Sequence, residues 1–115
     1  EKPTKRKLES AKEHNIKIPC FDLSTWISET FNKNDYLILK LDIEGAAENQ
    51  VLPFMIKENI FPEQILVEFD ELHTSNLKPY LKASKIIFQL LINGYKLIET
   101  NKFPDMLFVK KEILK

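Results

Sequence analysis

A short apolar run that stops on charge constrains this chain more than any other feature. Tyr36, Leu37, Ile38, Leu39 and Leu41 follow one another with only Lys40 between them, and the run ends on Asp42, Glu44 and Gly45 before a helical pattern begins. Successive side chains of a strand point to opposite faces, so an unbroken apolar run suits a strand buried on both sides, as in a parallel sheet covered by helices. In open α/β sheets, ligands sit just beyond the carboxyl ends of such strands. Two carboxylates and a glycine at that point therefore read first as a site. Gly45 and Gly94 are the only two glycines, so no glycine-rich phosphate or nucleotide loop can be built from this sequence.

The rest of the chain alternates strand and helix. Residues 1–15 are polar and read as a tail or short helix, with Leu8 and Ala11 as a weak apolar pair. Ile16 to Phe21 alternates and reads as a short edge strand, where Pro19 is tolerated. Asp22 or Ser24 can cap a helix that carries Leu23, Trp26, Ile27 and Phe31 inward and Glu29 outward. Asn32 to Asp35 is a turn. After the strand Tyr36–Leu41, the spacing of Ala47, Val51 and Met55 fits a helix face. Pro53 is expected to kink that helix or to open a new turn. A second buried strand, Ile65 to Phe69, is followed by Asp70, Glu71 and His73. A long helix from Pro79 to Asn93 is expected to bury Leu81, Ile87, Phe88 and Leu91, with Gly94 as its left-handed C-terminal cap. Tyr95–Glu99 and Met106–Lys110 are two last strands whose short connection demands an antiparallel pair. A doubly wound sheet explains the alternation, and a parallel sheet ending with one antiparallel edge strand suggests a Rossmann-like α/β fold of the class I methyltransferase kind.

Composition excludes several classes. At 115 residues the chain is one domain at most, and short for a complete doubly wound enzyme. Seventeen basic residues balance seventeen acidic ones, which argues against a nucleic-acid partner held by bulk charge. The basic cluster Lys2, Lys5, Arg6, Lys7 and Lys12 reads as a solvated face. The single cysteine, Cys20, rules out an internal disulfide or a multi-cysteine zinc site, and a buried, inert thiol is the default for it. No apolar run approaches the roughly 18 residues that cross a bilayer, and no signal-peptide pattern is present. A cytoplasmic protein is the expectation, with an upstream anchor or leader before Glu1 left open.

The segment LKLDIEGAAENQVLP resembles the signature of the FkbM-type methyltransferases. That family's fourth strand runs Lys, apolar, Asp, apolar, Glu, Gly, Ala, then Glu and Leu, matched here by Lys40, Asp42, Glu44, Gly45, Ala46, Glu48 and Leu52. Ala47 stands where the family usually has its second Glu, which here follows at Glu48. ILVEF resembles the fifth strand with its Val-Glu pair (Val67, Glu68). LLINGYKLIE is similar to the helix-Gly-Tyr passage into the sixth strand, and IPCFDLSTWI to the helix start around Asp22 and Leu23. The resemblance spans Ile18 to Val109. It implies the C-terminal half (16–115) of a domain that binds S-adenosylmethionine. The family's glycine-rich first turn and ribose-binding acid belong to an N-terminal half that this sequence does not contain. A missing N-terminal half, or a second copy, is therefore the expected partner.

Four residues are candidates for roles at the site. Asp42 would contact the cofactor's amino-acid moiety or the methyl acceptor, against the alternative of capping the following helix. Glu44 would help hold the cofactor or orient the acceptor, against plain capping. Glu68 is either an acceptor-binding carboxylate or the ion-pair partner of Lys40, and the structural pair with Lys40 is favoured. His73 could serve as general base on an acceptor hydroxyl, against the alternative of an exposed loop histidine. The family often has His two places after the fifth-strand Glu; here Asp70 stands there and His73 comes three later. Asp42, Glu68 and Asp70 could hold a divalent cation, though a site without a metal is the expectation. Trp26 reads as core filler and His14 as solvated.

The expected function is methyl transfer from S-adenosylmethionine to a hydroxyl oxygen of a small-molecule, sugar or lipid acceptor. One alternative is a non-catalytic binding or structural module of the same fold. A metal-dependent hydrolase using Asp42, Glu44 and Glu68 is the third reading.

Overall fold

The computed structural model describes residues 17, 19–43, 50–73, 75–98 and 105–115. The expected N-terminal tail or helix falls outside them, as do Glu44 to Glu48, and the structure says nothing of these. The described residues form an α/β fold with one mixed, open, four-stranded sheet and helices. In chain order the elements are α1 (Leu23–Thr30), β1 (Ile38–Leu41), α2 (Leu52–Lys57), β2 (Gln64–Glu68), a 3-10 turn (Asp70–His73), α3 (Leu77–Ile92), β3 (Tyr95–Ile98), β4 (Asp105–Lys110) and a final 3-10 turn (Lys111–Ile113).

Local chemistry sets most of these boundaries. Asp22 caps α1, its Oδ2 accepting from the Thr25 N–H at 3.0 Å and from the Thr25 hydroxyl at 2.6 Å; these bonds hold its pKa below the usual carboxylate value. Pro53 stands in the first turn of α2, where its missing N–H costs nothing. That helix closes on Asn59, a left-handed residue at φ 56°, and the Ile60 N–H reaches back to the Met55 carbonyl at 2.9 Å. The Asn76 side chain accepts from Lys78 N–H at the start of α3, and Gly94, at φ 93°, follows its end. The turn 32–35 is closed from both sides, Asn32 N–H to Asp35 Oδ2 at 2.7 Å and Asp35 N–H to the Asn32 carbonyl at 3.0 Å.

The strand order is β1-β2-β4-β3. β1 and β2 are parallel, and β4 runs antiparallel to both β2 and β3. β3 therefore runs parallel to β1 and β2, and the chain crosses from β2 to β3 leaving a gap that β4 returns to fill. The hairpin is present as expected, but its antiparallel strand is interior and β3 forms the edge.

Register assigns the faces. Leu41, Ile65, Val67, Phe108 and Tyr95 share one face and join Ile27 of α1, Leu52 and Met55 of α2, and Ala83, Ile86 and Leu90 of α3 in a single buried core. The other face carries Ile38, Lys40, Leu66, Glu68, Leu107, Val109, Lys96 and Ile98. Among the described residues all three helices pack on the first face, so the sheet is covered on one side, not both. β1 is correspondingly not buried on both sides: it lies at the end of the sheet, and Ile38 is 66% exposed. Apolar residues at every position cannot report which face is covered.

Four further expectations are corrected. Residues 19–22 form no strand, and Cys20 is exposed. Trp26 is half-exposed and packs edge-on against Phe31, ring centroids 5.5 Å apart, so it borders the core where Ile27 fills it. In α3 the buried residues are Ala83, Ile86 and Leu90; Ile87 and Leu91 pack against the core, whereas Leu81 and Phe88 face solvent. This helix is apolar around most of its girth, so the spacing placed Ile87 and Leu91 against the core but also pointed to Leu81 and Phe88, which are exposed.

Candidate functional site

The parallel strands β1 and β2 end side by side, and that edge gathers acid. Asp42 follows β1 directly, Glu68 is the last residue of β2, and Asp105, the first of β4, pairs with Glu68 in register. Asp70 opens the 3-10 turn two residues later. Lys40, Leu41, Asp42, Leu66, Glu68 and Asp105 line a hollow of about 200 Å³. This lies below the roughly 300 Å³ at which small-ligand sites begin. Wider hollows of about 380 Å³ and 410 Å³ lie among the helices, away from the strand ends.

The electrostatics centre on Glu68. Partial desolvation raises its pKa above the ordinary carboxylate value, and the charges of Asp42, Asp70 and Asp105 raise it further. A side-chain hydrogen bond between Glu68 and Asp42 acts in the same direction. Lys40, expected as the partner of Glu68, instead leans along its own strand, its Nζ 4.0 Å from Asp42 Oδ2 with both side chains more than half exposed. An exposed pair at that distance contributes little. It leaves the negative character of the edge in place.

Of the residues singled out in the sequence, the structure brings together Asp42 and Glu68. His73 ends the 3-10 turn on the exposed side, and the charges acting on Glu68 come from the three aspartates. Glu44 lies outside the described residues. Asp105 was not anticipated: it follows Pro104 in what reads as a loop, and only the β2–β4 register places it opposite Glu68. Glu63 was also missed, though it serves the opposite end of the sheet. It accepts from the Leu37 N–H at 2.7 Å and from Lys110 Nζ at 2.8 Å.

Among the described residues no group of three or more His, Cys, Asp or Glu side chains is arranged to hold a metal ion. Among them, too, no helix is long and apolar enough to cross a membrane. Chemically, the edge offers closely placed acidic side chains whose negative field favours a cationic group. Comparison with known protein families, curated proteins and solved structures gives no match to this chain.

Proposed function

We propose that this chain is the C-terminal half of an S-adenosylmethionine-dependent methyltransferase of the FkbM type, acting on a hydroxyl oxygen. One observation carries the reading: Asp42, in the segment that resembles the family's fourth strand, meets Glu68, in the segment that resembles its fifth, at the carboxyl ends of two parallel strands. The order strand, helix, strand, helix, hairpin supports it as well.

The donor set fits part of the cofactor. A wall of carboxylates with one pKa raised suits the ammonium and sulfonium charges of its methionine end. The nucleoside end has no counterpart here: Gly94 caps a helix and Gly45 is the sole other glycine. When bound, the cofactor supplies an electrophilic methyl group. Asp42 would hold the cationic end by charge, and a hydroxyl placed against Glu68 would give up its proton to that carboxylate. A carboxylate whose pKa is raised is a stronger base than an ordinary one. Positioning would supply much of the remaining rate. His73, on the loop beyond, is the alternative base. The second reading is a binding module of the same architecture.

Calorimetric titration of the full-length protein with S-adenosylmethionine and with S-adenosylhomocysteine tests the proposal. The expected result is tighter binding of the cationic cofactor than of its neutral product, with Asp42→Asn weakening the former by about tenfold, the scale of one charge-assisted contact. Absence of binding to either compound would sink the methyltransferase reading in favour of the binding module.

A further inference from the structure

The outer face of α3 is apolar where a helix that merely bounds a domain would be polar. Leu77, Leu81, Phe88 and Ile92 stand at i, i+4, i+11 and i+15, one stripe of an α-helix, and Tyr80 borders it. All five are exposed, Leu77 by 68%, Phe88 by 61% and Ile92 by 65%. The buried face of the same helix, Ala83, Ile86 and Leu90, lies on the opposite side. Apolar stripes of this length are rare on free surfaces and mark interaction sites.

Charge selects the partner. α3 carries Lys78, Lys82 and Lys85 and no acidic residue, and these exposed lysines run along one flank of the stripe. On that flank lies a groove of about 380 Å³ between α2 and α3, where Lys57, Lys82, Lys85 and Gln89 stand over Pro53 and Ile56. A second copy of the chain seated on this face would bring a second set of lysines with no acid on α3 to answer them. The stripe is also convex, the outer side of a single helix, whereas peptide partners seat in grooves. A helix with Leu, Phe, Ile and Tyr on one face and lysines beside it matches the physical description of a segment lying in the plane of a bilayer interface.

We propose that α3 docks this domain on a membrane surface containing anionic phospholipid. The stripe enters the boundary between headgroups and acyl chains, and the lysine-rimmed groove takes a phosphate headgroup. This does not depend on the methyltransferase reading, since none of these residues belongs to the carboxylate edge, and either can fail alone.

Co-sedimentation of the full-length protein with vesicles of phosphatidylcholine, with and without phosphatidylserine, tests it. The protein should pellet with the phosphatidylserine vesicles at least tenfold more tightly than with phosphatidylcholine alone, and salt should release it. Lys82→Glu with Lys85→Glu should weaken binding by more than about twenty-five-fold, at roughly fivefold per lysine lost near the surface. Leu81→Ser with Phe88→Ser should abolish it while the circular dichroism stays that of the wild type. Equal binding to neutral and anionic vesicles, or none, overturns the proposal by the wild-type comparison alone. So does a concentration-dependent dimer, seen by sedimentation velocity and lost in Leu81→Ser with Phe88→Ser, which would assign the face to a second copy.

Discussion

Glu63 and Lys110 tie three strands together at the end of the sheet opposite the carboxylate edge. Lys110 Nζ donates to Glu63 Oε1 at 2.8 Å, the other carboxylate oxygen accepts the Leu37 N–H at 2.7 Å, and the Lys110 N–H returns to the Glu63 carbonyl at 3.0 Å. Both side chains are about four-fifths buried (21% exposed each). Partial burial raises the Glu63 pKa, but the Lys110 hydrogen bond, the Leu37 N–H and the Lys110 charge outweigh it, and the net shift is downward.

A depressed carboxylate stabilises the fold above its unfolded pKa, and that stability is lost as pH falls through the folded value. The contribution of Glu63 is therefore complete above about pH 4.5 and disappears below it. Glu63→Gln should cost about 1 kcal/mol at neutral pH. Urea titrations at a series of pH values should show the difference from wild type shrinking in acid; a constant difference would refute the assignment.

Glu68 has the opposite sign. Its folded pKa is raised above 4.5, so its favourable contribution is fully present below pH 4.5 and is lost as pH rises through the folded value. At neutral pH the ionised group sits among Asp42, Asp70 and Asp105 at a disadvantage. Glu68→Gln should raise the melting temperature at neutral pH and leave it near the wild-type value in acid. A mutant less stable than wild type at neutral pH would show that Glu68 is structural.

Tyr95 is fully buried and its hydroxyl donates to the Pro62 carbonyl at 2.6 Å. Tyr95→Phe leaves that carbonyl without its donor and should cost about 1–3 kcal/mol. Burial, with the charge of Glu63, raises the phenol pKa above its ordinary value of 10.0. Wild-type stability should accordingly fall as pH rises above 10, where only the unfolded chain ionises, and Tyr95→Phe should lack the part of that fall due to this residue.

Gly94 isolates a backbone effect. A Cβ added there would meet no atom within 4 Å, yet φ is 93°. Gly94→Ala should therefore cost about 1–2 kcal/mol from conformation alone. An unchanged urea midpoint would mean that the helix end relaxes to another conformation.

The two faces of α3 can be told apart by truncation. Leu90→Ala removes a side chain that is 1% exposed and should cost about 3 kcal/mol. Phe88→Ala, on the exposed stripe, should stay within about 0.5 kcal/mol. The reverse order would mean that Phe88 is covered in solution.

The sequence by itself determined what depends on neighbours along the chain. Asp22 before the α1 helix, Pro53 in the first turn of α2, the turn at 32–35 and Gly94 after α3 were legible because caps and turns involve residues only two to four apart. So were the alternation of strands and helices and the hairpin that closes the chain. Only the tertiary structure decided which apolar residues are covered. Leu81, Phe88, Ile38 and Trp26 look like core by composition, and each is left exposed because burial depends on what lies opposite. It alone placed Asp105 against Glu68, turned Lys40 toward Asp42 and joined Glu63 to Lys110. The first and last of these follow from strand register, which joins residues that the chain holds as many as 47 positions apart.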